Sequence, residues 1–119
     1  MQKRILCIDD TQDILDCFEF ILTDEGHAIL TALSPEFIYD LIADFKPDLI
    51  LLDINLCEFN GLEVCKDLKQ NLDTKNIPVL MVSSDSKVHQ FKDYGAVDFV
   101  LKPFRTDHFI EKVNQYLSA

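Results

Sequence analysis

The stretch DLILLDINL, residues 48–56, places four consecutive aliphatic residues directly before a carboxylate, Asp53. A short, uninterrupted apolar run is typical of a strand that is buried on both faces of a parallel sheet. A charged group at the end of such a run is costly to desolvate unless another group compensates for it. The stretch therefore predicts a central strand that carries Asp53 at its end.

Further apolar runs alternate with segments of helical spacing along the chain. The runs span residues 4–9, 27–33, 77–84 and 97–103, and the helical segments span residues 14–22, 37–45, 62–68, 86–95 and 109–117. Five strands that alternate with five helices predict a doubly wound α/β fold, in which right-handed crossovers join parallel strands. We expect one domain over residues 1–119, with a five-stranded parallel sheet in the order 2-1-3-4-5.

Three segments add detail to this pattern. Ser34 and Pro35, a capping residue followed by proline, predict that the second helix begins there and buries Phe37 in its apolar stripe. The second strand is more polar than the others, and we expect it nearer an edge of the sheet. The fourth helix, over residues 86–95, is predicted to be short, since its periodicity is weak.

Composition excludes several classes of function. The formal net charge of −10 argues against binding nucleic acid through its phosphates, because such binding needs a basic surface. The apolar runs are too short for a membrane helix, and the first residues do not form a secretory signal, so we expect a cytoplasmic protein without membrane contact. The four cysteines lack the CxxC spacing that indicates a zinc site.

Reactive side chains follow four of the five predicted strands. They are Asp9 and Asp10 after strand one, Asp53 after strand three, Ser83 and Ser84 after strand four, and Lys102 with Pro103 after strand five. In the predicted strand order, the carboxyl ends of strands one and three are neighbours at the switch point, where ligands bind in such folds. Any one of these residues has a simple structural role, but four together predict a site at this edge.

The charges of these residues indicate the chemistry of the predicted site. Two carboxylates 4 Å apart repel each other by roughly 4 kcal/mol at an effective dielectric constant of about 20. Mg²⁺ removes that cost, since it prefers oxygen ligands and retains several waters. With Lys102 as a fixed positive charge and Ser83 as a hydroxyl donor, the set suits an oxygen nucleophile that receives a phosphoryl group.

The segments CIDD, LILLDINL, PVLMVSS and GAVDFVLKPF resemble the receiver domain of two-component response regulators, which has a flavodoxin-like fold. The resemblance spans essentially the whole chain. It implies that Asp53 is the phosphoacceptor and that Asp9 and Asp10 hold Mg²⁺ together with Asp53. It also implies that Asn55 gives a backbone carbonyl to the metal, that Ser83 contacts the phosphoryl group and that Lys102 pairs with it, with a bond to Pro103 that is often cis.

The resemblance also implies a switch and partners. Phe99 occupies the position of the switch aromatic, where tyrosine is common, and Ser84 stands where alanine is usual. Asn55 and Asp85 match positions that tune the lifetime of the phosphoryl group. The phosphoryl donor is expected to be a sensor histidine kinase, a phosphotransfer protein or a small acyl phosphate, and the output a downstream protein target or a fused output domain. The domain catalyses only its own phosphorylation and dephosphorylation.

Two other functions stay open at the level of sequence. An aspartyl-phosphate hydrolase of the haloacid dehalogenase class also carries a nucleophilic Asp after a parallel strand, but it needs a second Asp two residues later, where this chain has Asn55. A pseudo-receiver would retain the fold as an interaction module without the chemistry. The filled acidic, hydroxyl and lysine positions argue against it.

Overall fold

Short strands and amphipathic helices alternate along the chain in the computed structural model, which describes residues 2–117. The strands are β1 (Arg4–Ile8), β2 (Ala28–Ala32), β3 (Leu49–Leu52), β4 (Asn55–Leu56), β5 (Phe59–Asn60), β6 (Val79–Ser83) and β7 (Asp98–Leu101). The helices are α1 (Gln12–Asp24), α2 (Ile38–Phe45), α3 (Gly61–Gln70), a 3-10 helix (Ser86–Tyr94) and α4 (Thr106–Leu117). None of the helices within residues 2–117 combines the length and apolar character needed to span a bilayer.

The main sheet has the predicted topology. Its strands pair in the order β2-β1-β3-β6-β7, and every neighbouring pair is parallel. Because β4 and β5 form a separate antiparallel hairpin, this order is the predicted 2-1-3-4-5 order of the five long strands. The half-buried strand β2 lies at an edge, as its polarity indicated, and all four residues of β3 are buried at the centre.

Alternate residues of the sheet face two separate layers of the core, because successive side chains of a strand point to opposite faces. Leu6, Ile50 and Met81 face the layer formed by α2, α3 and the 3-10 helix. Ile5 and Leu51 face the layer formed by α1 and α4. Helices thus cover both faces of the sheet, and the carboxyl ends of its strands remain open at one edge.

Helix α2 begins later than its sequence predicts. The Ser34 hydroxyl accepts a hydrogen bond from the amide of Glu36 at 3.1 Å, which stabilises a turn instead of a helix start. The helix then begins at Ile38, and Phe37 is 62% exposed instead of buried in the apolar stripe. The prediction was wrong here because serine caps turns as readily as helices.

The predicted short fourth helix is a 3-10 helix of nine residues. The Asp85 carboxylate caps its start by accepting a hydrogen bond from the amide of Lys87 at 2.8 Å. Gly95 ends the helix with a φ of +86°, a conformation that glycine adopts without strain. Most 3-10 helices are shorter, because their hydrogen-bond geometry is poorer than that of an α-helix.

A buried threonine completes the end of α3. The hydroxyl of Thr74 donates a hydrogen bond of 2.6 Å to the carbonyl of Leu68. That carbonyl lies in the last turn of α3, where no intrahelical donor is available. Thr74 is 3% exposed, so no surface water replaces this bond.

Replacing Thr74 by valine should lower the free energy of unfolding by about 1–3 kcal/mol, since the buried Leu68 carbonyl loses its donor while the side-chain shape is retained. Urea denaturation of the two proteins measures the difference. Thr74→Ser retains the hydroxyl and should lose less stability than the valine variant. Equal losses for the two variants would contradict this role of the hydroxyl.

Candidate functional site

The structure brings together the three acidic side chains that follow β1 and β3. Carboxylate oxygens of Asp9, Asp10 and Asp53 lie within 4.8 Å of one another. Asp9 and Asp53 are buried, with exposed fractions of 0% and 6%, whereas Asp10 is exposed. The cluster therefore has two acids fixed in the protein and one at its surface.

Backbone hydrogen bonds fix one oxygen of each buried carboxylate. The amide of Thr11 donates to Asp9 Oδ1 at 3.0 Å, and the amide of Ile54 donates to Asp53 Oδ1 at 2.7 Å. Both aspartates also continue the sheet, since their own amides donate to carbonyls on neighbouring strands. The second oxygen of each carboxylate is left for other partners.

Lys102 is the partner of both remaining oxygens. Its Nζ lies 2.8 Å from Asp9 Oδ2 and 3.1 Å from Asp53 Oδ2. Burial alone would lower the pKa of Lys102, but the hydrogen bonds and charges of Asp9 and Asp53 outweigh it and raise that pKa. The side chain is thus an ammonium that contacts both acids. The Lys102–Pro103 bond is cis, as the resemblance implied.

One ammonium does not neutralise three carboxylates. Burial raises the pKa of Asp9, and the nearby charge of Asp53 raises it further, although Lys102 lowers it. A cation bound beside the three acids would relieve this cost, because it favours their charged forms. The all-oxygen donor set fits a hard divalent cation such as Mg²⁺.

Ser83 and Phe99 lie on the same face of the sheet. Ser83 pairs with Leu101 and Met81 with Phe99, so Phe99 is the diagonal neighbour of Ser83 on the adjacent strand. Ser83 is 1% exposed, and its hydroxyl accepts a hydrogen bond from the amide of Asp85 at 3.2 Å. The Phe99 side chain therefore lies beside the strand end that carries Ser83.

Asn55 and Asp85 meet across the sequence on the exposed side of the cluster. The side-chain amide of Asn55 donates to Asp85 Oδ2 at 3.2 Å. The hydrogen bond from the amide of Lys87, and to a smaller extent that from Asn55, lowers the pKa of Asp85, which is partly exposed. The contact links the segment after β3 to the segment after β6. The role of the Asn55 backbone carbonyl as a metal ligand stays a prediction.

Three contacts at the site have no clear signal in the sequence. A Cβ on Gly61 would lie 1.8 Å from the carbonyl oxygen of Asp53, so only glycine fits there. Cys57, in the turn of the β4–β5 hairpin, has a φ of +59°, and its thiol lies 3.9 Å from Asp10 Oδ2. The Thr11 hydroxyl donates to Asp10 Oδ1 at 3.3 Å. These contacts arise from the path of the hairpin and of the β1–α1 loop.

Comparison with known proteins gives consistent matches. The family model described as "Response regulator receiver domain" matches residues 5–114. The crystal structure of the receiver domain of NtrX from Brucella abortus has 33% sequence identity and a TM-score of 0.88, over 97% of this chain and 98% of that chain. A longer NtrX chain from the same organism matches with 33% identity and a TM-score of 0.89, over 99% of this chain and 28% of that chain. A candidate response regulator from Chloroflexus aurantiacus J-10-fl has 25% identity and a TM-score of 0.91 over the whole of both chains.

Replacing Lys102 by glutamine should lower the free energy of unfolding by about 3 kcal/mol without divalent cations, because two buried carboxylates lose their partner. Adding Mg²⁺ should then raise the melting temperature of K102Q more than that of the unmodified protein. Lys112→Gln is the matched control, since it breaks the Lys112–Asp98 ion pair away from the acidic cluster. Equal effects of Mg²⁺ on K102Q and K112Q would contradict the role of Lys102.

Proposed function

The chain belongs to the response regulator receiver domain family, and we propose that Asp53 accepts a phosphoryl group in a two-component signalling pathway. The observation that carries this proposal is the contact of one Asp53 oxygen with Lys102 at 3.1 Å, within a cluster of three carboxylates. The other Asp53 oxygen accepts a hydrogen bond from the amide of Ile54. The carboxylate is therefore oriented, and its charge is partly neutralised, before a phosphoryl donor arrives.

Asp9, Asp10 and Asp53 are the proposed side-chain ligands of Mg²⁺, with the backbone carbonyl of Asn55 as a fourth protein ligand. The ion, when bound, neutralises the negative charge that the phosphoryl oxygens bring to the acidic cluster. The exposed side chain of Asp10 leaves one flank of the cluster open to water and to the donor. The buried position of Asp9 keeps its ligand oxygen fixed.

Lys102 and Ser83 are the proposed contacts of the transferred group. The ammonium of Lys102 pairs with phosphoryl oxygens while it retains its place beside Asp9. Ser83 turns from the amide of Asp85 towards the phosphoryl group, and a hydrogen bond to a charged acceptor contributes roughly 1.5–3 kcal/mol. Two such contacts approach the roughly 5.5 kcal/mol that a nearly complete two-state switch needs.

Phe99 is the proposed reporter of this change. When Ser83 turns, its diagonal neighbour Phe99 fills the space that the hydroxyl leaves, and the surface formed by the 3-10 helix and β7 is remodelled. Because phenylalanine lacks the tyrosine hydroxyl, packing alone transmits the change. That surface is the proposed docking site for a downstream protein target or a fused output domain.

The proposed phosphoryl donor is a sensor histidine kinase or a phosphotransfer protein, and a small acyl phosphate can replace it. We place the domain in the cytoplasm, without contacts to nucleic acid or membrane. The longer NtrX chain, of which this chain matches 28%, is a case in which a domain of this fold is part of a larger protein. The domain is proposed to catalyse only its own phosphorylation and dephosphorylation.

Incubation with Mg²⁺ and acetyl phosphate should add one phosphoryl group to the protein, because Asp53 is the oriented nucleophile. Intact-mass spectrometry should detect this gain, and Asp53→Asn should abolish it. Asp44→Asn, an exposed change on α2, should be labelled like the unmodified protein.

Other outcomes of this experiment separate the remaining functions. Phosphorylation of Asp53→Asn would show that another residue is the phosphoryl acceptor. If the mass of the protein does not increase with acetyl phosphate or with a panel of histidine kinases, a pseudo-receiver that acts through docking alone would be favoured. Continuous turnover of many phosphomonoesters would favour a hydrolase of the haloacid dehalogenase class.

The Asn55–Asp85 contact should lengthen the life of the phosphoryl group, because it covers the open side of the site. Asp85→Ala and Asn55→Ala should each shorten that lifetime several-fold, measured as the loss of phosphorylated mass with time. The double variant should shorten the phosphoryl lifetime no more than either single variant does, since all three variants remove the same contact. Additive effects would show that the two residues act separately.

A further inference from the structure

Two rings of the 3-10 helix enclose the side chain of Phe99. The His89 ring lies 4.7 Å from the Phe99 ring, measured between centroids, at an interplanar angle of 66°. The Phe91 ring lies at 5.4 Å and 44°. Both distances are within the range of favourable aromatic pairs, and the His89 pair has the edge-to-face geometry that such pairs prefer.

The two contacts differ in their surroundings. Phe91 is half-buried and packs against the core layer between the sheet and α3. His89 is exposed, so its ring covers Phe99 from the solvent side. Packing against the core fixes the position of Phe91, whereas His89 lies outside the core. Substitution of His89 is therefore the more specific way to remove one aromatic contact of Phe99, because it leaves the core intact.

The backbone couples this contact to the site. Ser83, Asp85 and His89 lie on one short segment that begins at the end of β6. The Ser83 hydroxyl accepts a hydrogen bond from the amide of Asp85, and the Asp85 carboxylate caps the helix that carries His89. Buried Val88 anchors the same turn to the core. The contact of His89 with Phe99 thus belongs to the arrangement in which the Ser83 hydroxyl accepts a hydrogen bond from the amide of Asp85.

We propose that His89 is a positioning residue that holds Phe99 in the conformation of the unphosphorylated domain. The inference rests on the proposed function and adds a residue to it. In the proposed switch, Phe99 moves into the space beside Ser83 and gives up its contact with the His89 ring, so this contact opposes the phosphorylated conformation. Its removal increases the fraction of molecules that are competent to bind a phosphoryl analogue, and the apparent affinity rises by the same factor.

Titration with beryllium trifluoride in the presence of Mg²⁺ tests this inference. His89→Ala should bind the analogue about two- to tenfold more tightly than the unmodified protein, a ratio that corresponds to about 0.4–1.4 kcal/mol. His89→Phe, which restores an aromatic partner, should bind like the unmodified protein. Gln90→Ala, an exposed neighbour on the same helix, should also leave the affinity unchanged.

A second measurement follows Phe99 itself. In spectra of protein with ¹³C-labelled phenylalanine rings, the Phe99 signal of analogue-free His89→Ala should shift towards its position in the analogue-bound protein. A purely structural role of His89 would lower the melting temperature without this shift. The Phe99 signal of His89→Phe should stay near its position in the unmodified protein, beside one added signal from the introduced ring, which excludes a general effect of any substitution at this position.

Distinct outcomes overturn the inference and the proposed function. Unchanged or weaker binding by His89→Ala, or equally tightened binding by His89→Phe, would overturn the role of His89 while the unmodified protein still binds the analogue. A failure of the unmodified protein to bind beryllium trifluoride with Mg²⁺ would instead overturn the proposed phosphoacceptor site.

Discussion

The contact of Lys102 with Asp9 and Asp53 is the interaction on which the site depends. Asp9 and Asp53 end adjacent strands, so the parallel sheet forces two buried carboxylates together at its open edge. Lys102 reaches them from beyond β7, across the intervening strand β6, at distances of 2.8 and 3.1 Å. The sheet order that creates the repulsion between the acids therefore also supplies the cation that reduces it.

Burial divides the site into a fixed part and an adaptable part. Asp9, Asp53 and Ser83 are almost fully buried, and each has a backbone hydrogen-bond partner. Asp10 and Asn55 are exposed, and their polar side-chain partners are Thr11 in the same loop and Asp85 after β6. The sheet thus holds the residues that the proposed phosphoryl transfer must place accurately, while the exposed residues lie where a donor and water would arrive.

The sequence could predict what depends on strand periodicity, and it failed where side chains compete for local hydrogen bonds. Apolar runs identified the strands of the main sheet, and parallel topology then brought Asp9, Asp53 and Lys102 together. The start of α2 was wrong because Ser34 caps a turn. The tight approach of Gly61 to Asp53 and the place of Cys57 beside Asp10 depend on the β4–β5 hairpin, whose two-residue strands are too short to leave a periodic pattern. The hydrophobic periodicity of residues 86–94 indicated only a weak helix and could not predict its 3-10 geometry.

The geometry of that 3-10 helix bears on how the proposed switch can act. Its nine residues exceed the usual length of such helices, whose hydrogen bonds are weaker than those of an α-helix. Both ends are nevertheless fixed, because Asp85 caps the first turn and Gly95 packs against the side chain of Lys69, whose ammonium donates to backbone carbonyls of the α3–β6 loop. In the proposed switch, a rearrangement would therefore be confined to the turns between these ends, which carry His89 and Phe91. Since these two rings enclose Phe99, a small change in helical geometry would be sufficient to alter the surface that is proposed to dock a partner.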